Sequence, residues 1–206
     1  PWDLAAVILS EARSSMMEKS WDILEGACQH CRRCRLWEMR THVVVGKGNP
    51  NADILFVGEG PGQQEDLQGV PFVGPAGQLL DKMLASVGLT LDDVYITNVV
   101  KCRPPGNRDP HDDEKAACLN YLRYQFSLIH PKILVCLGRI AATTIISPDF
   151  RITRERGQWQ ERKGCWMIAT YHPSALLRDE TKKRPAWEDM QAIRKKWDEL
   201  RADAKQ

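Results

Sequence analysis

The sequence predicts an α/β domain: a three-layer sandwich in which helices cover both faces of a four-stranded, mainly parallel sheet. Three observations predict it. Short apolar runs alternate along the chain with amphipathic stretches at helical spacing. The apolar runs are unbroken, as in strands buried on both faces. The chain has 206 residues, 43% of them hydrophobic, which suffices for one core without disulfides.

The elements follow in order. Residues 3–26 place Leu4, Val7, Ile8, Ala12, Met16, Trp21 and Leu24 at roughly helical spacing, so residues 1–27 read as a helical N-terminal segment of one or two helices. A cysteine-rich turn, 28–34, comes next. Ala52–Val57 is a buried strand ending at Gly58. Ala76–Val87 is an amphipathic helix closed by Gly88. Val94–Thr97 is the second strand. Asp112–Ile129 is a helix whose acidic start suits a helix N-terminus. Ile133–Leu137 is the third strand, ending at Gly138, and Ala141–Ile146 begins the helix after it. Trp166–Thr170 is the fourth strand, and Trp187–Leu200 the final helix. The 102–111 loop is rich in Pro, Gly, Asn and Arg. With no linker or repeat in view, residues 1–206 read as a single domain.

Charge narrows the function. Lys+Arg (29) nearly balance Asp+Glu (27), a net charge of +2, which excludes a polycation or an acidic tail. A nucleic-acid partner then needs a local basic patch. No apolar run approaches the roughly 18 residues of a membrane span. Pro1-Trp2-Asp3-Leu4 carries no basic signal-peptide start, so the expectation is a cytoplasmic monomer with no membrane partner.

The seven cysteines are an odd number, which argues against a disulfide framework. Cys31-x2-Cys34 pairs with Cys102-x15-Cys118 as four soft ligands, suited to zinc or to an iron–sulfur cluster. The spacing leaves both open, and Cys28/Cys31 is a competing pair. Cys136 and Cys165 read as small buried hydrophobes within strands.

Ligands of open α/β sheets bind beyond the carboxyl ends of the strands. Those ends carry Gly58-Glu59-Gly60-Pro61-Gly62, then Asn98, then Gly138-Arg139, then Tyr171-His172-Pro173-Ser174. A glycine turn, an amide and an imidazole thus share one rim. The turn is neither a P-loop nor a dinucleotide fingerprint.

Six segments together resemble the family 4 uracil-DNA glycosylases, iron–sulfur enzymes of bacteria and archaea. They are Cys31-x2-Cys34-Arg35-Leu36, Gly46-x-Gly48-Asn49-Pro50, Gly58-Glu59-Gly60-Pro61-Gly62 and Pro71-Phe72-Val73-Gly74-x-Ala76-Gly77, followed by Tyr95–Arg108 and His172-Pro173-Ser174-x-Leu176-Leu177-Arg178. The resemblance runs in order from about residue 28 to 200. It implies uracil excision from DNA and a [4Fe-4S] cluster on Cys31, Cys34, Cys102 and Cys118, the cluster region being 28–34 plus 102–118, with Cys28 left over. It also implies a uracil pocket in which Phe72 stacks on the base, Asn98 reads its edge, the Gly58 to Gly60 turn gives backbone contacts, and His172 faces the carbonyl beside the glycosidic bond.

The chemistry of these residues suits that implication. An asparagine matches uracil's N3–H donor and O4 acceptor and mismatches cytosine at both. Thymine must be kept out by a wall at C5, and Glu65 is the candidate to fill that space beside Gly62. His172 can stabilise the departing uracil anion. Gly60 stands where the best-known uracil glycosylases place an Asp, which leaves Glu59 as the candidate to activate water. Arg103, Asn107, Arg108, Ser174 and Arg178, with the Lys182-Lys183-Arg184 run, are candidate DNA contacts. Leu176-Leu177 is a candidate wedge into the base stack. A related branch traps the sugar covalently through a His in a basic insertion of the 102–111 loop. No such insertion is present here, although His111 sits in that loop. The competing readings are that trapping branch, a glycosylase for another deaminated base, and a non-catalytic nucleic-acid-binding module with structural zinc.

Overall fold

The computed structural model describes residues 20–204. The predicted helix over residues 3–26 lies largely outside them, and its end is seen as α1, Trp21–Gln29. Among the described residues the sheet has six strands, the four expected and two more. In chain order they are β1 (Lys47–Gly48), β2 (Ile54–Gly58), β3 (Val94–Asn98), β4 (Ile133–Leu137), β5 (Gln160–Arg162) and β6 (Cys165–Thr170), in spatial order β1-β3-β2-β4-β6-β5. The four expected strands are the parallel centre, with Gly58 opposite Asn98 and Leu137 opposite Thr170. The two additions are short antiparallel edges on β3 and β6. β1 spans two residues and β5 is Gln-Glu-Arg, so neither carries an apolar pattern. β5 turns into β6 through Lys163 and Gly164, both at positive φ (50° and 82°), as a two-residue hairpin requires.

The helices are α2 (Gln63–Gln68), α3 (Pro75–Ser86), α4 (Asp112–Ile129), α5 (Arg139–Ile145), α6 (Ile152–Glu155), α7 (Pro173–Arg178) and α8 (Lys183–Asp203). α3 starts one residue before the expected Ala76 because Pro75 fits a first helical position. α8 starts at Lys183 rather than Trp187, since its exposed basic first turn adds nothing to an apolar stripe. α2 and α7 were not expected; each has six residues, too few for helical periodicity to register.

Strand residues alternate between two cores. Leu55, Val57, Leu134, Cys136, Met167 and Ala169 pack on one face with Leu122 and Phe126 of α4 and Ala141 of α5. Ile54, Phe56, Ile133, Val135 and Ile168 pack on the other with Leu80 and Leu84 of α3 and Met190 and Ile193 of α8. Each such aliphatic side chain contributes about 1.5–3 kcal/mol when fully buried. Cys136 and Cys165 are buried within the first core, as expected. The covered sheet leaves its carboxyl edge as the open rim. No helix of the described residues is long and apolar enough to cross a membrane.

Candidate active site

A cavity of about 500 Å³ opens on that rim, lined among others by Glu59, Gly60, Glu65, Phe72, Asn98 and His172. Parallel pairing puts Gly58 beside Asn98, and the turn after β2 continues that pairing, with Val99 N–H on the Gly58 carbonyl and Val100 N–H on the Glu59 carbonyl. Gly58 lies beneath the cavity. A Cβ there would come within 2.5 Å of Asn98 Oδ1 and 2.6 Å of Phe72 Cζ, so glycine is required for both side chains to stand where they do. At Gly60 a Cβ would meet Val100 Cγ2 at 2.7 Å, so an acidic side chain there would displace Val100.

Asn98 is 2% exposed, and its Oδ1 is the one buried side-chain oxygen without a hydrogen-bond partner among the described residues. Such an orphan costs about 1–3 kcal/mol. It marks a place where a ligand donor belongs.

Phe72 and His172 line the same cavity, their ring centroids 5.7 Å apart and tilted by 30°. Phe72 has φ 52°, a left-handed conformation that costs a non-glycine residue about 1–3 kcal/mol unless its surroundings enforce it. Lys47 Nζ donates to the Phe72 carbonyl at 2.9 Å. Lys47 was missed in the sequence because β1 carries no pattern. Glu65 gathers the loops: it accepts from the backbone N–H of Gly62 (3.1 Å), Val73 (2.9 Å) and Gly74 (2.7 Å). Its carboxylate fills the room beside Gly62, where a Cβ would meet Glu65 Oε2 at 2.7 Å.

His172 Nδ1 accepts from the backbone N–H of Ser174 at 3.1 Å, with Ser174 Oγ 2.8 Å away. Nδ1 is therefore the acceptor, and the ring proton sits on Nε2. Burial, and then the charge of Arg178, lower the His172 pKa to about 4, so the ring is neutral at physiological pH. Glu59 lies between this cavity and a second one of about 300 Å³. Burial, and then the neighbouring Asp109, raise its carboxyl to about 7 against the pull of Arg139 and Arg178.

The predicted DNA contacts are dispersed around the mouth. Asn107, Arg108, Ser174 and Leu177 line the main cavity, and Arg178 lines the second. Arg103 donates to Asn107 Oδ1 at 2.7 Å. Arg108 is committed to a two-pronged pair with buried Glu114 at 2.7 and 2.8 Å. Lys182, Lys183 and Arg184 pair with Asp179, Glu180 and Glu188 on the exposed surface. Leu177 is 50% exposed, whereas Leu176 is 1% exposed in the core, so only Leu177 is free to act as a wedge. His111 caps α4, and its half-exposed ring is not part of the cavity wall.

A separate cavity is walled by Cys31, Cys34, Cys102, Cys118 and also Cys28. Among the described residues no three Cys, His, Asp or Glu side chains are grouped to hold a single metal ion. Cys118 Sγ accepts from the Lys101 backbone N–H and Cys102 Sγ from Arg40, each at 3.3 Å. Burial raises the thiols of Cys118 to about 11 and of Cys28 to about 12. Cys28 is fully buried, while Cys31 and Cys34 remain partly exposed.

The model of the uracil DNA glycosylase superfamily matches residues 45–191. The type-4 uracil-DNA glycosylase of Sulfurisphaera tokodaii is 47% identical over 173 residues, covering 80% of this chain and 79% of the relative. The chain belongs to the uracil-DNA glycosylase superfamily, in its type-4 family. A second type-4 glycosylase, from Archaeoglobus fulgidus, is 48% identical over 167 residues, 77% of this chain and 84% of the relative. A type-5 glycosylase of Pyrobaculum aerophilum is more distant, at 32% over 162 residues, 70% of this chain and 71% of the relative. In this type-4 chain the matched span begins at Val45 and takes in the whole rim, Glu59, Asn98 and His172 included.

Proposed function

We propose that this chain is a DNA-repair enzyme that flips uracil out of DNA and hydrolyses its N-glycosidic bond, leaving free uracil and an abasic site. Its type-4 relatives, at 45–48% identity, carry that activity in their names. The observation that carries the reading on the chain itself is the orphaned Asn98 Oδ1 in the slot with Phe72 and His172. An everted uracil offers N3–H to that oxygen and O4 to the amide nitrogen beside it. Cytosine presents the reverse at both positions, and such a site rejects the wrong edge by about 10⁴-fold. Phe72 supplies the face on which the base stacks. Glu65, braced on three N–H groups, closes the C5 side against thymine's methyl.

As the bond to the sugar breaks, its electron pair goes to uracil N1 and charge develops at O2. The Nε2–H of neutral His172 donates to that oxygen without reorganising. Water adds to the oxocarbenium-like sugar, and its proton passes to a base. Glu59, held near neutral titration at the edge of the slot, is our assignment for that base. Arg178 has no hydrogen bond or ion pair among the described residues and is our first phosphate contact, with Arg103, Asn107, Arg108 and Ser174 beside it. Leu177 is the wedge. We read the enzyme as a monomer acting on DNA in the cytoplasm.

We assign Cys31, Cys34, Cys102 and Cys118 as ligands of a [4Fe-4S] cluster. The donor set fits: soft thiols spread around a cavity wall suit a group with several irons, and Arg40 and Lys101 offset thiolate charge. When bound, the cluster would cross-link the turn after α1, the loop after β3 and α4; the hydrolysis itself is redox-neutral. Cys28, fully enclosed and with its thiol pushed up to about 12 by burial, is our choice for a core side chain.

The test is strand nicking at a single deoxyuridine after hot alkali. The wild type nicks it. Asn98→Ala is expected to lose about 10⁴-fold and His172→Ala about 10²–10³-fold. A protein that binds the oligonucleotide without nicking would sink the enzymatic reading, and a heat-stable protein–DNA adduct would identify covalent trapping.

A further inference from the structure

Lys101 is 1% exposed, yet it ends in an ammonium group. Its Nζ donates to the Asn98 backbone carbonyl and to Thr97 Oγ1, both at 2.7 Å. It has no carboxylate partner among the described residues. Lys101 also helps to wall the cavity lined by Cys28, Cys102 and Cys118, so a group held by those cysteines would stand beside it. Its backbone N–H is already on Cys118 Sγ at 3.3 Å. Thr97 Oγ1 in turn donates to the Val45 carbonyl at 2.7 Å, and Gln125 Nε2 to the same oxygen at 2.9 Å, so the network around the ammonium is closed on the protein side. A buried cation is costly unless negative charge stands near it.

We propose that Lys101 is a positioning residue through which the group held by the cysteines orders Asn98. The negative charge collected on the thiolates keeps the ammonium buried, and the ammonium pins the Asn98 carbonyl at the end of β3. The peptide plane of Asn98 is then fixed, and with it the direction of the carboxamide in the slot. The inference rests on Asn98 reading the uracil edge. It gives a redox-neutral enzyme a use for the charge of a group held beside Cys102 and Cys118: it is counter-charge for a lysine that sets base recognition.

The experiment compares iron-loaded wild type with Lys101→Met, Lys101→Arg and Asn98→Ala. Free-uracil affinity is read by calorimetry, KM and kcat on a deoxyuridine oligonucleotide, and iron release under a chelator. Lys101→Met is expected to weaken uracil binding about tenfold or more, the loss of a hydrogen bond from a charged donor. The rise should appear mainly in KM, and iron should leave faster. Lys101→Arg, keeping the charge, should recover part of both. A merely structural lysine would lower the melting temperature and leave uracil affinity per folded molecule unchanged, and that result overturns the proposal. If Lys101→Met does not fold, Lys101→Arg and Thr97→Val decide: unchanged uracil affinity in both overturns it. Normal uracil binding by Asn98→Ala would instead defeat the base-reading assignment itself.

Discussion

The uracil slot and the cysteine cavity share one stretch of chain, from Asn98 at the end of β3 to Cys102, but they are finished to different degrees. Several polar groups that shape the slot already have their partners. Glu65 takes three N–H groups, His172 Nδ1 takes that of Ser174, and the Phe72 carbonyl takes the Lys47 ammonium. One oxygen, on Asn98, is left for a ligand. In the cysteine cavity, burial raises the thiols of Cys34, Cys102 and Cys118, and Lys101 N–H and Arg40 hydrogen-bond to the sulfurs of Cys118 and Cys102. A preorganised slot binds a small neutral base without rearranging. Burial keeps the cysteine thiols protonated, and the metal group proposed above would have to displace those protons on binding.

That difference predicts the largest effect in the cysteine cavity. Replacing Cys102 and Cys118 together by Ser should abolish iron binding, counted against about four irons per chain in the wild type. The same variant should lose solubility or most of its cooperative melting transition, because the proposed cross-link between the cysteine turn after α1 and α4 would be gone. Cys136→Ala, in the opposite part of the same core, should keep its iron and its excision activity. If the double variant retained both iron and fold, the contrast between finished slot and unfinished cavity would be wrong.

The next effect is chemical and lies in the slot. Glu59→Gln should lower the excision rate about 10²-fold, the usual share of a general base. The wild-type rate should rise with pH through about 7, because Glu59 accepts a proton only once ionised, and Gln should flatten that limb. His172, with its pKa lowered to about 4, should add no second limb between pH 5 and 9. A pH profile unchanged by the substitution would remove Glu59 from the role of base.

Much of the slot was legible because buried parallel strands advertise their ends. Each apolar run stopped at Gly58, at Asn98, at Gly138 or before Tyr171-His172, and parallel register brought those stops to one edge. Charge networks were not legible. Glu65 is legible as the candidate for the space beside Gly62, but nothing in the sequence signals that three N–H donors from two loops brace it. Lys101 drew no assignment of its own, because nothing local says that it is buried. Leu176 and Leu177 are identical in sequence, and only the seating of α7 on the core buries the first and exposes the second. The edge strands escaped for a related reason: two or three half-exposed polar residues pair through backbone alone.

The smallest expected effect tests how the cysteine loop is held beside the slot. Arg108 lines the slot but spends its charge on Glu114, which is fully buried at the first turn of α4 and also accepts the His111 N–H at 2.8 Å. The Arg108 hydrogen bonds lead in holding the Glu114 carboxyl down to about 2, against the upward push of burial. Its folded-state pKa is thus below its ordinary value of about 4.5, so the stabilisation is complete above that value and is lost as pH falls toward 2. Glu114→Gln should therefore lower the melting temperature by roughly 5 °C at neutral pH, and the gap from wild type should close as the acid limit is approached. Released from the carboxylate, Arg108 becomes available to DNA phosphate. The variant should then bind a deoxyuridine oligonucleotide no more weakly than wild type while melting earlier, and a steeper dependence of binding on salt would register the freed guanidinium as an added phosphate contact.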